Sequence, residues 1–196
     1  MGDGDNVRDG GPATWNAAVT QVAFAFVMGG LVGWVYEVFI CGPLNGDGID
    51  LGHGGLGIPF LTIYAVGAIF IELALGLGRR HHPLSQLVGS AMLCTLLEYA
   101  SGLVMLHVMG VRTWDYRIPG WDFLASPDGL VCLRASLTFG VMGLIQLRGV
   151  DSLYGALADK HPKGLAAVVW LLVAVVALAL LNASLLHVVD TGGMWH

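Results

Sequence analysis

The chain has 196 residues, of which 56% are hydrophobic and 12% are charged, and its formal net charge is −5. A soluble domain carries roughly 25% charged residues, so this composition, with a mean hydropathy of +0.73, excludes an ordinary soluble globule. The sequence contains no basic run, which argues against a nucleic-acid-binding protein.

Five apolar blocks follow a polar, acidic N-terminal tail at 1–15. Each is close to the ~20 residues that a helix needs to cross a hydrocarbon core of about 30 Å. We therefore predict an all-α fold, a polytopic transmembrane helix bundle of about five spans in a single domain at 16–190, with a short tail at 191–196. The predicted spans are residues 16–41, 59–78, 84–110, 130–147 and 165–189. The fifth block is the most uniformly apolar, and we expect it to face lipid.

The connectors between the blocks differ in charge. The second connector, 79–83, and the fourth, 148–164, hold most of the basic residues that lie between spans, whereas the first, 42–57, has no Lys or Arg. Cytoplasmic loops carry an excess of Lys and Arg. The sequence thus predicts a plasma-membrane protein with a cytoplasmic N-terminus and an extracytoplasmic C-terminus.

The third connector, 111–129, contains the aromatic segment TWDYRIPGW. Trp114, Tyr116 and Trp121 are typical of a membrane-interface belt, because amphipathic rings favour the headgroup level. An alternative is a lid that folds over the membrane-embedded acids with Asp115 pointing inward. His53, in the first connector, is the histidine expected nearest to that outer region.

Four charged residues lie within the predicted spans, where an ionisable side chain is costly and usually functional. Each acid shares a helix face with small residues, since positions three and four apart lie above one another. Such faces allow close helix packing, so we expect the acids to point into the bundle. The charged residues are Glu37, Glu72, Glu98 and Arg134. The shared faces are Ala25, Gly29, Gly33 and Glu37; Tyr64, Ala68, Glu72 and Gly76; and Ala91, Thr95, Glu98 and Gly102.

Three interpretations of Glu37, Glu98 and Arg134 remain open from the residues alone. The first is a proton or substrate site, because burial raises the pKa of a carboxylic acid and an arginine can hold an anionic group bidentately. The second is a buried Arg134–Glu ion pair that fixes helix packing. The third is a metal site of Glu37, Glu98 and His53. The three cysteines form neither a metal spacing nor a disulfide framework.

The motifs GWVYE (33–37), HGGLGIPFLTIYAVGA (53–68), LLEY (96–99), TWDY (113–116) and GLVCLRASLTFG (129–140) occur in this order. Together they resemble the CmpB-like family of small bacterial multi-pass proteins, which carry the label "putative ABC transporter permease". The resemblance covers about residues 30 to 145. His53 stands where the family has a loop arginine, and TIYA (62–65) stands where it has PIYG. The positions that the resemblance picks out are Glu37, Tyr64, Gly67, Glu98, Tyr99, Trp114, Asp115, Tyr116, Gly129, Arg134, Ser136 and Gly140.

The sequence therefore predicts a transporter or permease-like protein with a carboxylate–Arg site open to the extracytoplasmic side. The alternatives are an intramembrane enzyme for a lipid-like substrate, with Glu98 or Asp115 as general base, and a structural module held by buried ion pairs. The expected partners are the lipid bilayer, a separate ATPase subunit and a second copy of the chain, with GGLVG (29–33) as a candidate dimer interface. The substrate and any cofactor are not predicted.

Overall fold

Helices that alternate in direction make up the structure, a computed structural model that describes residues 12–77 and 82–185. α1 (Pro12–Tyr36) passes into a π-helical segment, Glu37–Cys41, and then into the short α2 (Gly42–Asn45). α3 (Thr62–Ile71) passes into a second π-helical segment, Glu72–Gly76. α1 starts at Pro12, inside the predicted N-terminal tail; residues 1–11 and the predicted tail at 191–196 lie outside the described residues.

The second half of the chain contains the remaining long helices. α4 (Pro83–His107) is followed by α5 (Leu133–Leu144), a third π-helical segment (Ile145–Val150), α6 (Asp151–Lys160) and α7 (Pro162–Leu185). A proline is the first residue of α1, α4 and α7, where its missing N–H costs no hydrogen bond and its fixed φ suits the helix. α5, the π segment and α6 follow one another without a break. The predicted loop at 148–164 is therefore wrong for residues 148–160, which continue the helix.

α1 and α3 pack closely through the predicted small-residue faces. A Cβ atom placed on Gly29 would overlap the Cβ of Ala68, and one placed on Gly33 would overlap the ring of Tyr64. Gly30 meets the ring of Phe60 in the same way. The prediction that these faces point inward is confirmed. The three glycines of the GGLVG segment are thus covered by Phe60 and α3 of the same chain, whereas Leu31 is 36% exposed, and the dimer interface stays a prediction.

α4 and α5 form the second close helix pair. Gly140 lies against the carbonyl oxygen of Leu87, where an added Cβ would come within 2.9 Å of it. The Thr95 hydroxyl donates a hydrogen bond of 2.7 Å to the Ser136 hydroxyl. The face of α4 that carries the small residues and Glu98 therefore faces α5, as predicted.

α7 packs beside α1 through few residues. Val169 contacts Phe24 in one buried cluster, and Val176 joins Phe60 and Ala65 in another. Most other side chains of α7 are exposed and apolar, including Leu171 and Leu178, as expected of a helix that faces lipid.

Three helical stretches are long and apolar enough to cross a membrane: Asn16–Asn45, Pro83–His107 and Pro162–Ala183. The apolar stretch Thr62–Gly76 is shorter, and at 1.5 Å per residue it spans about 22 Å. The continuous helix from Leu133 to Lys160 is long but contains Arg134, Gln146 and Arg148. The fold is thus an all-helical membrane bundle. We call the end with segments 46–61 and 108–132 the connector end, and the end with residues 161 and 82 the opposite end.

Candidate functional site at the connector end

Glu37 and Tyr64 join α1 to α3 at the connector end. Glu37 is the first residue of a π-helical segment, and π-helical turns in α-helices frequently occur at functional sites. The Tyr64 hydroxyl donates a hydrogen bond to Glu37 Oε1, and the Tyr64 ring lies 6.3 Å from that of Tyr36. The structure thus pairs two of the predicted site residues.

Glu98 and Tyr116 form a second pair of a carboxyl group and a tyrosine. The Tyr116 hydroxyl, from the 108–132 connector, donates a hydrogen bond of 2.7 Å to Glu98 Oε1. Glu98 is only 8% exposed, and its second oxygen, Oε2, has no hydrogen-bond partner among the residues described. Burial raises the pKa of the Tyr116 hydroxyl well above its ordinary value, so this group stays protonated and remains a donor to Glu98.

Arg134 lies against the connector instead of against an acid. Its guanidinium carbon is 3.8 Å from the centre of the Trp121 ring, and its Nη1 donates a hydrogen bond of 3.1 Å to the Gly120 carbonyl oxygen. Within residues 16–77 and 82–183, no carboxylate lies at ion-pair distance from Arg134. The predicted Arg134–Glu ion pair is therefore not found, because the tryptophan face and a backbone carbonyl hold the guanidinium.

Trp121 is the centre of the connector and was missed as a site residue. Its ring stacks on that of Tyr116 at 5.5 Å, and its Nε1 donates a hydrogen bond of 2.9 Å to Asn45 Oδ1. It is 6% exposed and packs with Cys41 and Cys132. The aromatic segment therefore folds onto the helix ends. The sequence contains the tryptophan, but no spacing rule connects it to a residue 76 positions earlier.

Asp115 is held by arginines of its own connector, so the part of the lid hypothesis that turns Asp115 toward the acids is not found among the described contacts. Arg117 donates to both of its carboxylate oxygens, and Arg112 lies 3.5 Å away. The hydrogen bonds from Arg117 lower the pKa of Asp115 to about 2. An acid held by two arginines and ionised at neutral pH is a poor general base, so Asp115 shapes the connector.

Tyr99 and Trp114 lie on the outer side of the Glu98 pair. Tyr99 is exposed and faces Asp128. The Nε1 of Trp114 donates a hydrogen bond of 2.9 Å to the Leu130 carbonyl oxygen, and its ring covers Gly102. These two predicted site residues fix the connector and make no described contact with either acid.

His53 belongs to the turns of the first connector, where its backbone N–H bonds to the Asp50 carbonyl oxygen at 3.2 Å. In the part of the chain that the structure describes, no three His, Cys, Asp or Glu side chains are grouped to hold a metal ion. The metal site predicted as an alternative from Glu37, Glu98 and His53 is therefore not assembled.

An apolar groove runs between α1 and α5 beside this site, with a volume of about 770 Å³. Its walls are aliphatic side chains such as Val35, Leu137 and Val141, and Arg134 and Phe123 lie at its connector end. The volume is within the ~300–1,000 Å³ of small-molecule sites. The groove can accept an apolar chain whose polar end reaches the guanidinium.

Residues 24–185 match the family described as "Putative ABC-transporter type IV", ABC_trans_CmpB. The chain belongs to this family. Comparison with curated proteins and with solved structures gives no match. The match identifies this CmpB-type protein as a membrane protein and a component of a transporter family.

Hydrogen bonds link three positions that the CmpB resemblance picks out: Gly129, Tyr116 and Glu98. Gly129 has φ of 74°, a left-handed conformation that favours glycine, and its carbonyl oxygen accepts a hydrogen bond of 2.9 Å from the Tyr116 backbone N–H. This bond positions Tyr116 to reach Glu98. The connector end of the CmpB-type protein thus combines two carboxyl–tyrosine pairs with an arginine held by Trp121.

Proposed function

We propose that this chain is the membrane-embedded, substrate-binding subunit of a transport system, with its site at the connector end and open to the extracytoplasmic side. Glu37, Glu98 and Arg134 would form that site beneath the 108–132 connector. The observation that carries the proposal is Glu98 Oε2, a carboxylate oxygen in a residue only 8% exposed that has no partner in the described structure. Family membership supports the transporter class.

A buried acceptor without a partner costs about 1–3 kcal/mol, and more if it is charged. A proton, or a donor group of the substrate, removes this cost when it reaches Glu98 Oε2. Tyr116 bonds to the other oxygen of the same carboxyl group. A change in the protonation or ligand binding of Glu98 would therefore act directly on the connector. Arg134 has donors left over for an anionic substrate group, because among the described residues its side chain donates one hydrogen bond, from Nη1 to the Gly120 carbonyl oxygen.

Replacement of Glu98 by glutamine tests this site. We expect Glu98→Gln, which preserves shape, to lower the affinity for a retained polar ligand at least about tenfold and so to reduce its occupancy, since a charged hydrogen bond contributes roughly 1.5–3 kcal/mol. The measurement is native mass spectrometry of protein gently extracted from its own membrane. Asp122→Asn is the matched control, because Asp122 is an exposed acid of the same connector. Unchanged ligand occupancy in a stable Glu98→Gln protein would contradict the proposal.

We place the docking surface for a separate ATPase subunit on α6, at the opposite end. Tyr154 of α6 packs on Phe24 at a ring distance of 5.5 Å. The adjoining face of the helix exposes Leu153 and Leu157, which are 44% and 36% exposed. Residues four apart on a helix share a face, so these leucines form an apolar strip next to the charged end of α6.

Replacement of Leu157 by glutamate tests this partner. We expect Leu157→Glu to remove a co-extracted ATPase while the melting temperature stays unchanged, because a charge on an exposed position disrupts an apolar contact and leaves the fold intact. Native mass spectrometry counts the subunits. Ser152→Glu, at an exposed position of the same helix, should retain the partner. If both variants bind the ATPase as the wild type does, α6 is not the docking surface.

A lipid-like substrate is the second candidate, favoured by the apolar groove between α1 and α5 with Arg134 at its end. In this enzyme hypothesis Glu98 is the remaining general base, since Asp115 is held by arginines. The same mass spectra separate the two candidates. A retained amphiphile that is chemically converted favours the enzyme, whereas an ATPase subunit favours transport.

A further inference from the structure

Glu72 is the centre of a second polar cluster, which lies toward the opposite end and plays no part in the proposed substrate site. The residue is 0% exposed. Gln21 Nε2, from α1, donates a hydrogen bond of 2.8 Å to Glu72 Oε1. The carboxyl group of Asp151 and the amide of Gln146 lie against Glu72 from the helix that continues α5. Three helical segments thus bring polar side chains to one buried point.

Three buried polar atoms around this point have no hydrogen-bond partner in the described structure: Glu72 Oε2, Gln146 Nε2 and Ser90 Oγ. Gln146 is 4% exposed and Ser90 is 0% exposed. Ser90 lies against Gly143, one helical turn before Gln146. Each unpaired atom costs about 1–3 kcal/mol, and buried polar groups of this kind are normally satisfied by an ordered water or an ion.

The backbone provides room for the carboxyl group. A Cβ atom on Gly76 would lie 2.7 Å from Glu72 Oε2, so a side chain at position 76 would displace the carboxyl group from its present place. Glu72 is the first residue of the π-helical segment Glu72–Gly76, and Gln146 belongs to the π-helical segment Ile145–Val150. π-helical turns in helices often mark functional positions. The two π-helical segments meet at this cluster.

One of two neighbouring carboxyl groups, Glu72 or Asp151, is expected to hold a proton. Among described side chains, Asp151 is the titratable group that faces it, while the Arg148 Nε donates a hydrogen bond of 2.8 Å to Gln86 Oε1. Tyr154, on the same helix, donates its hydroxyl hydrogen to the Ala17 carbonyl oxygen at 2.9 Å. A buried carboxyl group and a half-buried one side by side resist ionising together, because their like charges repel.

We propose that Glu72 is a proton-binding site that exchanges its proton with the aqueous phase at the opposite end through Asp151. Asp151 is half-buried and is the first residue of α6. Its O–H bond breaks as a proton passes to Glu72 Oε2, directly or through a bridging water, which leaves the Asp151 carboxylate and a protonated Glu72. Gln21, which donates to Oε1, holds the acceptor carboxyl group in place. The site does not depend on the connector-end proposal.

Infrared difference spectra of the full-length protein in lipid bilayers, recorded while pH is varied, test the proposal. We expect the wild type to show a protonated-carboxyl C=O band that Glu72→Gln removes. Asp151→Asn should keep the band and shift its loss to lower pH by at least one unit, about a tenfold lower proton affinity, because the neighbouring negative charge is gone. Asp159 is an exposed acid of the same helix, and Asp159→Asn should change neither the carboxyl band nor the pH at which it is lost.

Two outcomes would overturn the proposal. One is a carboxyl band that survives in Glu72→Gln, since the titrating group would then lie elsewhere. The other is a band in Asp151→Asn that titrates as in the wild type, since the two carboxyl groups would then be uncoupled. If Glu72→Gln fails to fold, the spectra of Asp151→Asn still test the proposal, because Asp151 lies at the edge of the cluster.

Discussion

Replacing Trp121 with alanine should destabilise the protein by about 3–5 kcal/mol, the usual cost of removing a buried tryptophan. The side chain is 6% exposed, stacks on Tyr116, lies under Arg134 and bonds to Asn45. Its loss removes all three contacts at once. We expect a lower melting temperature and faster tryptic cleavage after Arg117 in the 108–132 connector.

Trp170→Ala is the matched control for Trp121. Trp170 lies on α7 and is 48% exposed, so its removal should leave both the melting temperature and the cleavage of the connector almost unchanged. Equal effects of the two substitutions would show that Trp121 does not anchor the connector.

Replacing Gly29 with alanine should cost about 1–3 kcal/mol, the range for overpacking a close contact. The added Cβ would overlap that of Ala68 and lie 3.1 Å from the Tyr64 carbonyl oxygen. Because the clash is between two methyl positions, adding Ala68→Gly should restore most of the lost stability. Thermal unfolding of the two single variants and the double variant measures this coupling.

Gly155→Ala is the control for the effect of alanine itself. Gly155 is in α6, where an added Cβ meets no atom within 4 Å, and glycine to alanine in a helix stabilises by about 0.5–1 kcal/mol. We therefore expect a small rise in the melting temperature. A double variant no more stable than Gly29→Ala alone would contradict the predicted packing of α1 on α3.

The sequence predicts the inward faces of the helices well. Ala25, Gly29 and Gly33 repeat every fourth residue, and a helix of 3.6 residues per turn places them on one side. Glu37 and Glu98 follow the same repeats, so their direction into the bundle was predictable. Helix geometry is local, which is why a single sequence suffices for this part of the fold.

The partners of those acids were not predictable to the same degree. Tyr64 lies 27 positions from Glu37, and Trp121 lies 76 positions from Asn45; no periodic pattern relates such pairs. Arg134 was expected beside an acid because of charge alone, yet the folded connector presents Trp121 and Gly120 to it. The loop expected at 148–164 failed because its charges indicated the end of a span, while charged residues can also continue a helix out of the membrane.

The continuous helix from Leu133 to Lys160 connects the connector end of the bundle to the opposite end. At 1.5 Å per residue it is about 42 Å long, with Arg134 in its first turn and the proposed ATPase surface in its last turns. Gln146, beside Glu72, lies near its midpoint. A tilt of about 10° around that midpoint moves each end by roughly 3–4 Å. If the three segments move as one body, we expect a push on α6 to reach the guanidinium of Arg134 and the connector that holds it.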